Sequence, residues 1–181
     1  MSFDPKTGFT VQLLDRLFFP NGIELTDNGT ALLVAETGKA RILKYYLPSS
    51  QSRAGIKFFA RSLPGFPDNI RKGVHGTYWV AFAATRNPSI SNFIDSSASK
   101  PWLRSLISKF VPYGLLHRIM ARFTPAYGLI VELDENGQII SSYHDPTGAT
   151  VRDVSQVLDT EDGLYLGSYH APYIIKVPFT A

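Results

Sequence analysis

Phe19-Pro20-Asn21-Gly22-Ile23 and Phe66-Pro67-Asp68-Asn69-Ile70 are two copies of one phrase, 47 residues apart, and their spacing decides the fold. Each leaves a tight turn through an amide or carboxylate and enters an apolar run. Each is followed by a second run opening at Gly-Thr: Gly29-Thr30-Ala31-Leu32-Leu33-Val34, and Gly76-Thr77-Tyr78-Trp79-Val80. A third run, Gly163-Leu164-Tyr165-Leu166-Gly167-Ser168-Tyr169, begins 87 residues after Gly76. Setting aside an atypical stretch from about Asn87 to Ala126 brings that interval back to 47. Short strands repeating at this period are the mark of propeller blades.

The composition agrees. With 44% hydrophobic and 18% charged residues, the 181-residue chain packs a core and is not of the disordered class. Gly and Pro fall at nearly every strand junction, as an all-β chain requires. Cysteine is absent, which excludes a disulfide framework and a thiolate metal site. No apolar run approaches the ~20 residues of a membrane-spanning helix, and Met1-Ser2-Phe3-Asp4-Pro5 is neither a signal peptide nor an anchor. There is no phosphate loop and no Gly-x-Ser-x-Gly elbow for a serine nucleophile. Basic and aromatic residues do not interleave as a nucleic-acid surface would, so nucleic acid is not an expected partner.

The spacing predicts four strands in a first unit: Gly22 to Thr26, Ala31 to Glu36, Arg41 to Leu47 and Ile56 to Ala60. Asp27-Asn28-Gly29 forms the first hairpin turn, because Asn-Gly accepts positive φ at low cost. A second unit has Asp68 to Arg71 and Thr77 to Ala83, resuming after the insertion with Gly128 to Asp134 and Gln138 to Tyr143. A third has Val151 to Leu158, Leu164 to Ser168 and Tyr173 to Val177, without an outermost strand. Thr10 to Leu14 reads as a strand closing a preceding unit. Residues 1–181 thus form one partial propeller domain of about three blades. A closed propeller has about four to eight blades, so the expectation is the C-terminal half of a six-bladed β-propeller, all-β, whose N-terminal half is missing.

The insertion, about residues 87–126, differs in character. Ser99 is positioned to cap a helix in which Trp102, Leu103, Leu106, Ile107 and Phe110 recur at helical spacing. After Pro112 and Gly114, a second stripe follows in Leu115, Leu116, Ile119, Met120 and Phe123. Lys100, Arg104, Lys109, His117, Arg118 and Arg122 occupy polar positions, and no acid lies between Ser96 and Val131. One expectation is a helical lid packed on an end of the propeller, which hides the stripe. The alternative is a basic amphipathic surface lying on anionic membrane.

Phe-Pro-Asn-Gly-Ile, Leu33-Val34-Ala35-Glu36-Thr37 with Arg41-Ile42, and Leu63-Pro64-Gly65-Phe66-Pro67-Asp68-Asn69-Ile70-Arg71 resemble the strictosidine synthase-like family. Lys100-Pro101-Trp102, Tyr143-His144-Asp145-Pro146 and Asp162-Gly163-Leu164-Tyr165-Leu166-Gly167-Ser168 continue the likeness across the chain. The resemblance implies a six-bladed propeller related to the paraoxonases, which hold calcium in the central channel on Asn and Asp side chains at the entrances of the innermost strands. On matching strings it places Asn21, Asp68 and Asn69 as the metal ligands. It leaves the catalytic base, a histidine in the paraoxonases, to the missing half. Calcium is a hard cation that takes amide and carboxylate oxygens, although Asn21 and Asp68 would serve equally as turn caps. Strictosidine synthases proper place a glutamate in the segment that here reads Asp153-Val154-Ser155-Gln156-Val157. Gln156 cannot transfer a proton, so amine–aldehyde condensation is not the expected activity.

The expected function is calcium-assisted, arylesterase-like hydrolysis of a small ester or lactone. The alternative is a membrane-associated propeller without turnover that binds a partner or lipid through its basic insertion. Animal members of the family imply a membrane-bound protein with the propeller on the lumenal or extracellular side, its anchor outside this chain. Asn28-Gly29-Thr30 fits a glycosylation acceptor at a hairpin tip. His144-Asp145 has the form of a carboxylate-oriented imidazole but sits before Pro146, where a turn is expected. His75 and His170 read as isolated histidines, and Glu36 with Arg41 reads as a structural ion pair.

Overall fold

The computed structural model describes residues 1–48, 55–86, 97, 99–112, 114–116, 118 and 126–179. The repeat folds as three antiparallel meanders. The first blade is β3 (Pro20–Leu25), β4 (Ala31–Glu36), β5 (Arg41–Tyr46) and β6 (Ile56–Ala60), hydrogen-bonded in that order. The second is β7 (Gly65–Lys72), β8 (Tyr78–Thr85), β9 (Gly128–Leu133) and β10 (Ile139–Asp145). The third has only β11 (Val154–Thr160), β12 (Gly163–Ser168) and β13 (Ile175–Pro178). The structure is all-β and is a propeller fragment, as the spacing predicts.

Turn chemistry sets the registers. Gly29 has φ +66°, and Asn28 Oδ1 accepts the Thr30 amide, which closes the β3–β4 hairpin. Gly137 at φ +81° does the same between β9 and β10, with Asp134 accepting the Asn136 and Gln138 amides. The insertion does not interrupt the second blade, because β8 pairs directly with β9 from Tyr78↔Leu133 to Ala81↔Ile130.

The core lies between blades. Successive side chains of a strand point to opposite faces, and β8 uses both. Tyr78, Val80 and Phe82 join Leu33, Ala35, Ile42 and Ile70 in the interface between the first two blades. Trp79 and Ala81 join Val154, Val157, Leu164 and Leu166 in the interface with the third. The first strands of the blades stand side by side, β3 against β7 and β7 against β11. They are the inner strands of the propeller, nearest its axis.

Three expectations are corrected. The strand expected at Thr10 to Leu14 is only β2 (Thr10–Val11), paired with β1 (Ser2–Phe3) in a separate hairpin. Its turn is held by Asp4, which accepts the Lys6 amide and the Thr7 hydroxyl. The insertion's helix, α1 (Pro101–Phe110), is not capped by Ser99. Lys100 is the N-cap, with no side-chain cap, and Pro101 starts the helix with its φ preset and no amide to satisfy. Nor is α1 a buried lid, since none of its residues is buried. In the second stripe, Ile119, Met120 and Phe123 lie outside the described residues, as do His117 and Arg122.

Candidate functional site

Each inner strand carries a bulge, and the sequence-predicted residues occupy two of the three. The β3–β4 register shifts between Pro20 and Ile23, enclosing Asn21 and Gly22. The β7–β8 register shifts between Pro67 and Ile70, enclosing Asp68 and Asn69. The β11–β12 register shifts between Val154 and Gln156, enclosing Ser155. A bulge frees its residues from the ladder and re-aims them. The two prolines, which cannot donate to a ladder, mark the first two bulges in the sequence.

The three bulges meet. The Asn21 side chain donates a hydrogen bond to the Asp68 carboxylate. Asn69 Nδ2 donates to the Ser155 carbonyl at 2.8 Å, which ties β7 to β11 at the bulge. Gly22 permits the approach of β3: a Cβ there would lie 2.6 Å from the Ile70 amide nitrogen and 2.7 Å from Asn69 Cα. Thr37, just after β4, donates its hydroxyl to the Pro67 carbonyl at 2.6 Å and fixes the other flank.

Asp68 is half-buried, and burial raises its pKa above the ordinary carboxylate value, with the Asn21 hydrogen bond opposing the shift. Among the described residues no Lys or Arg pairs with it. A desolvated carboxylate without a cationic partner favours either a proton or a cation.

Beside these bulges lies a pair that sequence spacing did not bring together. Asp153, buried and at φ +51°, holds His170 Nδ1 at 2.6 Å. Its amide donates to the Tyr127 carbonyl, and Arg152 Nε stands 3.6 Å from the same carboxylate. Ser168 Oγ accepts the His170 amide at 3.1 Å. Tyr169 donates its hydroxyl to the Ala83 carbonyl at 3.0 Å. Burial first, then the nearby Asp153 and Asp68 carboxylates, push its pKa up to about 12. Tyr169 therefore stands within the field of both carboxylates. No motif announces this cluster, because 17 residues and a strand pair separate Asp153 from His170.

The other candidates have structural partners. His144 contacts Tyr127 Oη and Ser142 Oγ, each at 3.0 Å, and forms no dyad with Asp145. Asp145 instead accepts the Thr147, Thr150 and Val151 amides, which hold its pKa well below the carboxylate range. Glu36 is fully buried against Arg41 and the Phe18 amide. Gln156 Nε2 lies 3.4 Å from the Val157 carbonyl and supplies no titratable acid. Asn28 is exposed at the hairpin tip, with its carbonyl bonded to Thr26 and Thr30. Clefts of about 360 and 600 Å³ open between neighbouring blades, and neither is lined by Asn21, Asp68 or Asn69.

The donor chemistry fits part of a calcium site. Asp68 supplies a carboxylate, and the amide hydrogen bonds of Asn21 and Asn69 are donated through nitrogen, so their Oδ1 atoms are available as acceptors. Three side chains are fewer than the about six to eight oxygens that Ca²⁺ takes. Among the described residues no group of three His, Cys, Asp or Glu forms a ligand set. A cation here would rest on amide oxygens and one carboxylate, with further donors from outside this set.

Comparison with known proteins points one way. The family model described as Strictosidine synthase matches residues 1–50. Adipocyte plasma membrane-associated protein of Salmo salar is 39% identical over 98% of this chain and 41% of its own length. The human protein of the same name is 36% identical over 100% of this chain and 42% of its own. Protein STRICTOSIDINE SYNTHASE-LIKE 2 of Arabidopsis thaliana is 34% identical over 96% of this chain and 46% of its own. The chain therefore spans less than half the length of these relatives.

Proposed function

Since the chain belongs to the strictosidine synthase-like family, we propose that its inner-strand site takes part in metal-assisted hydrolysis of a small ester or lactone. One observation carries this reading. The bulges of β3 and β7 deliver an amide and a desolvated carboxylate to one spot, with a second amide alongside. Asn21, Asp68 and Asn69 would hold Ca²⁺. Bound there, the ion would polarise a carbonyl oxygen or orient a water. Asp153 engages Nδ1 of His170, so in this proposal Nε2 would be the ring atom that takes a proton from water, in place of a base from outside this chain. Partial burial of Asp68 lowers the local dielectric and would strengthen its pull on a cation. Gln156 offers no acid for amine–aldehyde condensation.

The test uses the protein expressed from its full gene. Ca²⁺ at about 100 Kd stabilises a native state by about 2.7 kcal/mol, so it raises Tm, and Asp68→Ala removes most of that rise together with phenyl acetate hydrolysis. Asn21→Ala removes less, because it takes away an oxygen ligand but no charge. A Tm that ignores both Ca²⁺ and chelator overturns the metal assignment. Full hydrolysis in Asp68→Ala overturns the mechanism.

The names of the animal relatives favour membrane association as well. Among the described residues no helix is long and apolar enough to cross a membrane. In the same proposal the propeller faces the lumen or cell exterior and carries a glycan on Asn28. Expression in a secretory cell followed by deglycosylation then shifts gel mobility in the wild type and not in Asn28→Gln. Unchanged mobility of the wild type counts against this placement.

A further inference from the structure

Among the described residues nothing covers a large apolar surface of helix α1. Trp102, Leu106 and Phe110 are 65%, 48% and 69% exposed. At about 100° per residue they run down one side of the helix, and Leu103 and Ile107, partly buried, continue the same arc to a width of about 140°. On that projection Lys109 lies at one border of the arc and Lys100 at the other. Lys109 Nζ sits 5.7 Å from the Phe110 ring centroid. Arg104, about 60° beyond Ile107 on the polar side, bonds Ser97 Oγ at 2.9 Å within the insertion. There is no acid in α1 or anywhere between Ser96 and Val131.

We infer that the Trp102–Leu106–Phe110 face of α1 docks on an anionic lipid surface, with Lys100 and Lys109 reaching the headgroups. Charge selects this occupant. An exposed apolar stripe alone would suit a protein groove or a second copy of the chain. Two lysines bordering the stripe, in a segment free of acids, instead match a sheet of negative headgroups over an acyl layer. Tryptophan at the polar–apolar boundary adds to the match, since its ring is amphipathic and settles at that depth. The helix would lie in the plane of the interface, because its ten residues are far short of a span. This surface is independent of the inner-strand site, but it competes with the lumenal placement proposed above, because phosphatidylserine is concentrated in the cytoplasmic leaflet.

The chain has two tryptophans, and the other, Trp79, is buried between blades, so Trp102 is the reporter. The experiment mixes the protein with vesicles of phosphatidylcholine alone or of phosphatidylcholine with phosphatidylserine, an anionic lipid, and follows emission and co-sedimentation. The expected result is a blue shift and sedimentation with the anionic vesicles only, both weakening as salt rises. Lys100→Glu with Lys109→Glu lowers partitioning by on the order of tenfold or more. Leu106→Ser with Phe110→Ser does the same while keeping the reporter. Unchanged Trp79 emission in the variant Trp102→Phe shows that the blades stay folded. No shift with anionic vesicles, equal binding to neutral ones, or a concentration-dependent blue shift without lipid, as a second copy would cause, each overturns the inference.

Discussion

Glu36 shows how a buried charge can hold a site it does not enter. It is fully buried at the end of β4, where Arg41 Nε approaches within 2.5 Å and the Phe18 amide donates at 2.8 Å. Phe18 opens the segment that enters β3 at Pro20, so this carboxylate anchors the approach to the first bulge. Removing one partner of a buried pair costs about 3–5 kcal/mol, and the lower end applies here because Arg41 is 26% exposed. Glu36→Ala should lower the unfolding free energy by about 3 kcal/mol in urea titrations, and Glu36→Gln, which keeps an acceptor, by less. A loss below about 1 kcal/mol would mean that water reaches Arg41 and screens it. Asp68 makes the opposite prediction. Its folded pKa is raised above 3.8 by burial, so its contribution favours folding at pH below 3.8 and is lost as pH rises through the folded value. Without divalent cation, Asp68→Asn should therefore be more stable than wild type at pH 7, and Ca²⁺ should narrow or reverse the gap. Tm measured with and without chelator checks both signs. The repeated five-residue phrase marked where the bulges holding Asn21, Asp68 and Asn69 fall, whereas their ligand role is implied by the family resemblance. Asp153 and His170 had no such mark, because tertiary pairing alone brings them together.

The inner strands can approach closely because one residue between them has no side chain. A Cβ on Gly22 would meet the backbone of β7 at three atoms: the Ile70 nitrogen at 2.6 Å, Asn69 Cα at 2.7 Å and the Asp68 carbonyl at 2.8 Å. Backbone cannot swing aside as a side-chain tip can, so Gly22→Ala must part β3 from β7. Overpacking of this kind costs about 1–3 kcal/mol. It would also draw Asn21 away from Asp68, so the variant should lose both Tm and the response of Tm to Ca²⁺. A wild-type Tm in Gly22→Ala would show that β3 shifts freely. At this scale the sequence is informative wherever turn chemistry dictates geometry, as at Asn28-Gly29 and Asn136-Gly137. It is weaker at α1. The capping preference of Ser99 lost to Pro101, whose fixed φ starts the helix one residue after Lys100. The apolar period of α1 identified a helix but not whether its stripe is covered, since periodicity reports a face and says nothing of its partner.

Three blades sharing two apolar seams should not have uniform stability. The second blade is packed on both faces, and Val80, Ala81 and Phe82 are wholly buried. The third blade contributes Val154, Val157, Leu164 and Leu166 to one seam, while Leu158 and Ile174 stand exposed. Among the described residues its last strand, β13, pairs only with β12 and has no fully buried residue. The alternation that produces this asymmetry was visible in Tyr78-Trp79-Val80-Ala81-Phe82, five apolar residues in succession, as a strand buried on both faces requires. The burial of the outer strands was not visible, because it depends on which neighbours cover them. Opening free energies range from nearly zero at frayed edges to the global value in core strands. In residues 1–181 expressed alone, native-state hydrogen exchange should therefore find the slowest amides in β8 and β9, at Val80, Ala81, Ile130 and Val131. Amides of Ile175 and Val177 should exchange at least about a hundredfold faster, since an edge strand opens without unfolding the seam beneath it. The β1–β2 hairpin, all exposed, should show the least protection. Equal rates in β8 and β13 would mean that the blades open as one cooperative unit, and that two-sided packing of the second blade gives it no stability of its own.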